Sequence, residues 1–302
     1  MNDAQHLQYR FTGTSVSGPW RLSVWRHRDE GTVVYVFAEE HGNAGPCHRT
    51  TGQDLTPLVF DIIQKTSRVH VFLEHFIHTR ESMGVSDACF ASARQDTLKH
   101  LRNCLQFARN KTPGYADRIH FIDPRMDLVA ILPDGNVYKA VSHYITHLDE
   151  VGDFPAARRT VYEAFVHPLL SLVPDRVGLE GRMERVMERT ISLLTPRQRK
   201  FFTLSWETGV VGNVARVVQI YKQFAKPKHL KSLLQAYTDM VNHFTDLWLL
   251  AEFFVAQNYG MTAGIVYAGS RHSLNFENFL EELGYEKIKV VQNRDLSACL
   301  AL

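Results

Sequence analysis

Apolar and polar positions alternate between two regimes along the chain. Residues 9–27 alternate with a period of two, are rich in aromatic and β-branched types, and break at Gly18-Pro19, which predicts a hairpin. TVVYVFAEEHG, VHVFLEHF, RIHFIDPR and AGIVYAGSRH are short apolar runs that end abruptly in charge. Such runs are the mark of central strands buried on both faces. Between them, LTPLVFDIIQKT follows a capping Asp54 and tolerates Pro57 in its first turn, and 87–109 carries apolar residues at helical spacing. Strand, helix, strand, helix, strand implies a parallel sheet with helical crossovers. From about 135 to 258 only helical patterns appear, at 136–149, 155–173, 178–194, 209–224 and 229–257. A helix near 273–283 and a last strand, YEKIKVV, close the chain. The expectation is one α/β domain over 1–302: a mostly parallel central sheet, an N-terminal hairpin and a large all-helical insertion or cap at 135–258 before the last strands.

Composition narrows the class. With 302 residues, 45% hydrophobic and 22% charged, the chain is built for a large core rather than for disorder. The four cysteines, Cys47, Cys89, Cys104 and Cys299, form no CxxC pair, so neither a disulfide scaffold nor a cysteine zinc site is expected, and a reducing compartment fits. The first residues lack the basic start and apolar run of a signal peptide. The longest apolar stretch, LWLLAEFFVA, carries Glu252 and is too short to span a bilayer. A cytoplasmic protein that is not secreted is expected. Net charge is +2, yet Arg182 to Lys231 holds eleven Lys/Arg against three Asp/Glu, which leaves the rest of the chain net acidic. That stretch, with Lys222, Lys226, Lys228 and Lys231 around one proline-containing turn, could meet nucleic acid or an anionic surface. More often such a run is the solvated face of helices.

Ligands of open parallel sheets bind beyond the carboxyl ends of the strands. The strand ends here supply Glu39, Glu40 and His41; Glu74 and His75; Asp123 and Arg125; and Arg271 and His272. Alternation lets only some of each set face one pocket; His75 should point away from Glu74. Two imidazoles and two carboxylates suit Zn²⁺, Mn²⁺ or a similar ion, whose bound water is a nucleophile near neutral pH. Without a metal, a Glu–His pair could activate water directly. An arginine could hold an anionic group or a developing oxyanion. Asp239, His243 and Asp246 share one face of a helix, a pattern that for Asp239 and His243 reads best as a polar stripe.

Several motifs also resemble one superfamily. They are Ala38-Glu39-Glu40-His41, the strand end Phe72-Leu73-Glu74, and Gly269-Ser270-Arg271-His272 followed by Phe279-Leu280-Glu281-Glu282-Leu283-Gly284-Tyr285. The pattern is similar to that of erythromycin esterases, Tiki-type metalloproteases and ChaN-like haem-binding lipoproteins. Arg118-Ile119-His120-Phe121-Ile122-Asp123-Pro124-Arg125 and Thr245-Asp246-Leu247-Trp248 resemble segments of proteins of large DNA viruses, which would place the chain in host cytoplasm or virion. The family's leading Gly is Ala38 here, which narrows the backbone's approach to a ligand. The resemblance implies metal-assisted hydrolysis of an ester or amide bond. Glu40, His41, Glu74, His272, Asp123 and Arg125 would form the catalytic set, and His41, Glu74, His272 and Asp246 would be metal donors. The rivals are a viral binding protein that keeps the fold and works through its basic helices, and haem or metal binding without turnover.

Overall fold

The computed structural model describes residues 3–11, 15–39, 52–76, 97–124, 187–222, 230–293 and 299–301. Its strands are β1 (Ser15–Ser17), β2 (Arg21–His27), β3 (Val33–Glu39), β4 (Gly52–Asp54), β5 (Val69–Phe76), β6 (Ile119–Asp123), β7 (Ala263–Gly269), β8 (Tyr285–Gln292) and β9 (Cys299–Ala301). Its helices are α1 (Asp3–Phe11), α2 (Leu55–Lys65), α3 (Thr97–Lys111), α4 (Pro113–Ala116), α5 (Pro196–Trp206), α6 (Gly212–Lys222), α7 (Leu230–Asn258) and α8 (Ser270–Glu282), with a π-helical turn at Glu207–Val211 between α5 and α6. The chain divides into two compact units. One holds Met1–His75, Thr79–Ile122 and Glu252–Leu302; the other holds Phe76–His78 and Asp123–Ala251.

The first unit is built on a six-stranded sheet of order β6-β5-β7-β3-β2-β8. β3, β7 and β5 run parallel, while β2 is antiparallel to both β3 and β8. The α/β class and the mostly parallel centre are those the apolar runs predict. A second, three-stranded sheet has the order β4-β1-β9.

The N-terminal hairpin is displaced from its expected place. α1 covers residues 9–11, the described strands β1 and β2 pair with others and not with each other, and the hairpin is formed by β2 and β3. Leu7 and Phe11 lie four residues apart on α1 and are both buried, so helical spacing overrides the short-range alternation. Phe11 packs on Tyr35 and Phe37, with ring centroids 4.9 and 5.5 Å away.

Register separates the sheet's two faces. Phe37, Tyr267 and Leu73 are aligned on one face, and Val36, Val266 and Phe72 on the other. α1 covers the first face, as does α3, whose Arg109 guanidinium lies 4.9 Å over the Phe121 ring. On the second face Phe253, near the end of α7, meets Phe72 at 5.8 Å and Phe276 of α8 at 5.2 Å. α2 buries Leu58, Val59, Ile62 and Ile63. Full burial of each such side chain contributes roughly 1.5–3 kcal/mol before the cost of ordering the chain.

In the second unit α5 starts from a capping box: the Thr195 hydroxyl accepts from Gln198 N at 3.4 Å, and Gln198 Oε1 accepts from Thr195 N at 3.0 Å. α5 was not among the helices expected from the pattern, and it buries only Phe202 and Trp206. The Trp206 ring stands edge-on to Phe244 of α7 at 5.9 Å. His243 lies flush on Gly209 in the π-helical turn, where a methyl group would overlap the imidazole. Asp239 is 3.7 Å from Arg216. No helix among the described residues is long and apolar enough to cross a membrane.

Cys104, fully buried on α3, is disulfide-bonded.

Candidate functional site

The carboxyl rim of the parallel strands is where the sequence places its chemistry. Glu74, sixth residue of β5, is 1% exposed. One of its carboxylate oxygens accepts from the N–H of Gly269, the last residue of β7, at 2.6 Å. Its carbonyl oxygen accepts from Arg102 Nε of α3, also at 2.6 Å. Gly269 is the N-cap of α8 and brings no capping side chain. The Glu74 carboxylate therefore supplies negative charge at the start of a 13-residue helix, where the helix dipole favours it.

His272 was expected at a strand end. β7 stops at Gly269, and His272 instead lies in the first turn of α8, 6% exposed. The same turn is tied to the sheet by hydroxyls. Ser270 Oγ donates to the carbonyl of Glu39 at 3.0 Å and accepts from Trp20 Nε1 at 2.8 Å. Ser273 Oγ sits 3.2 Å from the Phe37 carbonyl and 3.1 Å from that of Ala268. A helix that starts immediately after a central strand is thus tied to the sheet at its first turn, where His272 lies.

Strand parity sorts the remaining candidates. Glu39 pairs in register with Gly269, so it shares the face of Phe37, and His75 falls on that face by the same alternation. His75 Nε2 lies 3.2 Å from Gln106 Oε1 of α3, and its ring is edge-on to Phe121. Glu74 lies on the opposite face, with Phe72. The reading that His75 turns away from Glu74 agrees with this geometry. Asp123 is the last residue of β6 and is 2% exposed. Asp246 lies on α7 within the second unit and is likewise 2% exposed. Glu40, His41 and Arg125 lie outside the described residues, as do Cys47, His48 and His78.

Among the described residues no group of three or more His, Cys, Asp or Glu side chains is arranged to hold a metal ion. The described donors do not by themselves make the metal shell that the motifs imply; Glu74 and His272 would need His41 or another residue beyond them.

One polar constellation was missed. On the face of Phe72, His70 Nδ1 lies 3.0 Å from His120 Nε2, and His120 Nδ1 lies 2.8 Å from Glu252 Oε2 of α7. His70 and His120 are 3% and 8% exposed, and the His120 ring stacks on Phe72 at 4.7 Å. Burial, then the His120 and Arg118 charges, push the His70 pKa down to about 3. The available signal was an imidazole inside each of two apolar strands, VHVFL and IHFID, because a buried imidazole needs a partner.

Among protein-family models, curated proteins and solved structures, none matches this chain.

Proposed function

We propose that the carboxyl rim of the first unit's sheet is a hydrolytic site, in which Glu74 and His272 handle the proton of an attacking water. The observation that carries this reading is the Glu74 carboxylate, buried and oriented by the Gly269 N–H at the mouth of α8, three residues before a buried histidine. A carboxylate and an imidazole fixed on rigid elements are the parts general acid–base catalysis uses, and such groups contribute typically about 10²–10⁴-fold. Ester or amide bonds are the substrates this chemistry fits. A divalent ion enters the reading through a further donor, for which the motif nominates His41; elemental analysis of the wild type beside His41→Ala tests that part.

The reading is tested with chromogenic esters and amides. Hydrolysis by the wild type should fall about a hundredfold or more in kcat in Glu74→Gln and His272→Ala. Equal rates in all three proteins would sink it.

A second reading is favoured by the charge pattern. Arg189, Arg197, Arg199 and Lys200 are exposed, and no described carboxylate pairs with them. Three of them sit at the start of α5, where the dipole disfavours cations. Such a surface suits a polyanion. Binding that weakens steeply with salt, and is lost in Arg197→Glu/Lys200→Glu, would support it.

A further inference from the structure

The His70, His120 and Glu252 chain joins three elements distant in sequence: β5, β6 and the last turns of α7. Glu252 is also the residue at which α7 begins to count with the sheet unit. His70 stands four residues before Glu74, roughly 13 Å back along the strand, so the chain is separate from the carboxyl rim and does not rest on the hydrolytic reading.

Its hydrogens can be placed by elimination. An ionised Glu252 only accepts, so His120 Nδ1 donates to it. His120 Nε2 is then an acceptor, and His70 Nδ1 donates to it. Every atom in the two links is matched while both rings are neutral. A proton on each ring would put two N–H donors face to face at 3.0 Å.

The neighbouring charges do not relieve that conflict. From β6 comes His120, and from just before that strand Arg118, whose guanidinium donates to the carbonyls of Ile63 and Thr66. From α7 comes Glu252. From α3 comes Arg109, attracted to both Glu252 and Asp117. On β7 the positions in register with His70 and Phe72 are Gly264 and Val266, which do not titrate. Arg118 is the cation that acts on His70, and Glu252 is the anion bonded to the chain.

We propose that Glu252, His120 and His70 form a pH-responsive clasp that fastens the end of α7 to β5 and β6 at neutral pH and releases it in acid. The sign follows from linkage. His70 ordinarily titrates near 6.5, and in the folded protein it is held near 3, so the open or unfolded chain binds a proton that the closed clasp does not. Closure is therefore complete above 6.5 and weakens tenfold per pH unit below it, for one proton.

Hydrogen exchange of the full chain reads the clasp directly. After correction for intrinsic exchange rates, the opening constant for residues 252–258 should rise about fifteenfold between pH 6.5 and 5 in the wild type. In His70→Leu, which packs without titrating, it should change less than about threefold. Ring ¹⁵N shifts of the wild type give a second measurement that does not depend on a variant folding. The resonance absent from His70→Asn should stay neutral down to pH 5. A His70 ring that titrates near 6.5, or protection of 252–258 that ignores pH, would overturn the clasp.

Discussion

Two polar groups are buried on the same face of the central sheet, and they solve burial in opposite ways. In one, Glu277 of α8 is surrounded by donors. Arg21 grips both of its oxygens, one at 2.9 Å; Ser23 Oγ donates at 2.7 Å, and Lys287 Nζ lies 3.2 Å away. In the other, His70, His120 and Glu252 make a single file with one bond per link. The first group is an ionised site held by surplus donors. The second is a mostly neutral site held by the placement of hydrogens. The difference teaches where fragility lies: the charged cluster is vulnerable to losing a partner, and the neutral chain to gaining a proton.

The largest effect should come from taking the one buried cation away from a buried carboxylate. Arg21→Leu leaves Glu277, which is 3% exposed, with only Ser23 and the half-exposed Lys287, and should cost about 3 kcal/mol in urea unfolding. Arg21→Leu combined with Glu277→Leu removes both charges and should recover most of that loss. A double variant as unstable as the single one would break the comparison, because the packing of α8, and not the ion pair, would then be what matters. At pH 7 His70→Leu should cost less, about 1–3 kcal/mol, since it leaves one neutral acceptor unmet on His120.

How much of this was legible in the sequence differs between the two groups and the rim. The strands β3, β5, β6 and β7 were visible because strands buried on both faces become unbroken apolar runs, and their sudden ends in charge marked the rim that holds Glu74. α5 was invisible because PRQRKFFTLSW turns most of its surface to water and buries only Phe202 and Trp206, too few for a helical stripe. His272 was found, but assigned to a strand, because nothing in AGSRH announces that the helix starts at Ser270; only the hydrogen bonds of Ser270 and Ser273 to the sheet fix that boundary. Neither buried group could be assembled from the sequence, although the imidazoles inside VHVFL and IHFID signalled that each needs a partner. Arg21 and Glu277 are 256 residues apart, and His70, His120 and Glu252 are brought together by strand order and the run of one long helix.

The two groups should also fail at different pH, which sharpens the comparison. Burial pushes Glu277 up, but the bonds from Arg21 and Ser23, the Arg21 charge and Lys287 together outweigh it and hold the carboxyl below its ordinary 4.5. Its contribution is therefore intact above about 4.5 and is lost only as pH falls through the lower folded value. The His70 contribution begins to fade below 6.5. Between 6.5 and 4.5 the wild type should lose up to about 1.4 kcal/mol of stability per pH unit for one proton. His70→Leu should be flatter there, whereas Arg21→Leu/Glu277→Leu should keep the wild-type slope. A slope removed by the second variant and not the first would reverse the assignment.

The smallest effect should come from the one exposed donor in the charged cluster. The Lys287 side chain is 40% exposed, so water and salt screen its attraction to Glu277, and its ammonium also lies 4.6 Å over the Trp25 ring. Lys287→Met keeps most of the stem over the indole and removes only the charge. Exposed ion pairs contribute about 0–1 kcal/mol and exposed cation–π contacts about 0.5–1, so the loss should stay near 1 kcal/mol and shrink further in high salt. The cost of Arg21→Leu should hardly respond to salt, because its partner is buried. If Lys287→Met proved as damaging as Arg21→Leu, the surplus of donors around Glu277 would not be a surplus, and the cluster would be as finely balanced as the imidazole chain beside it.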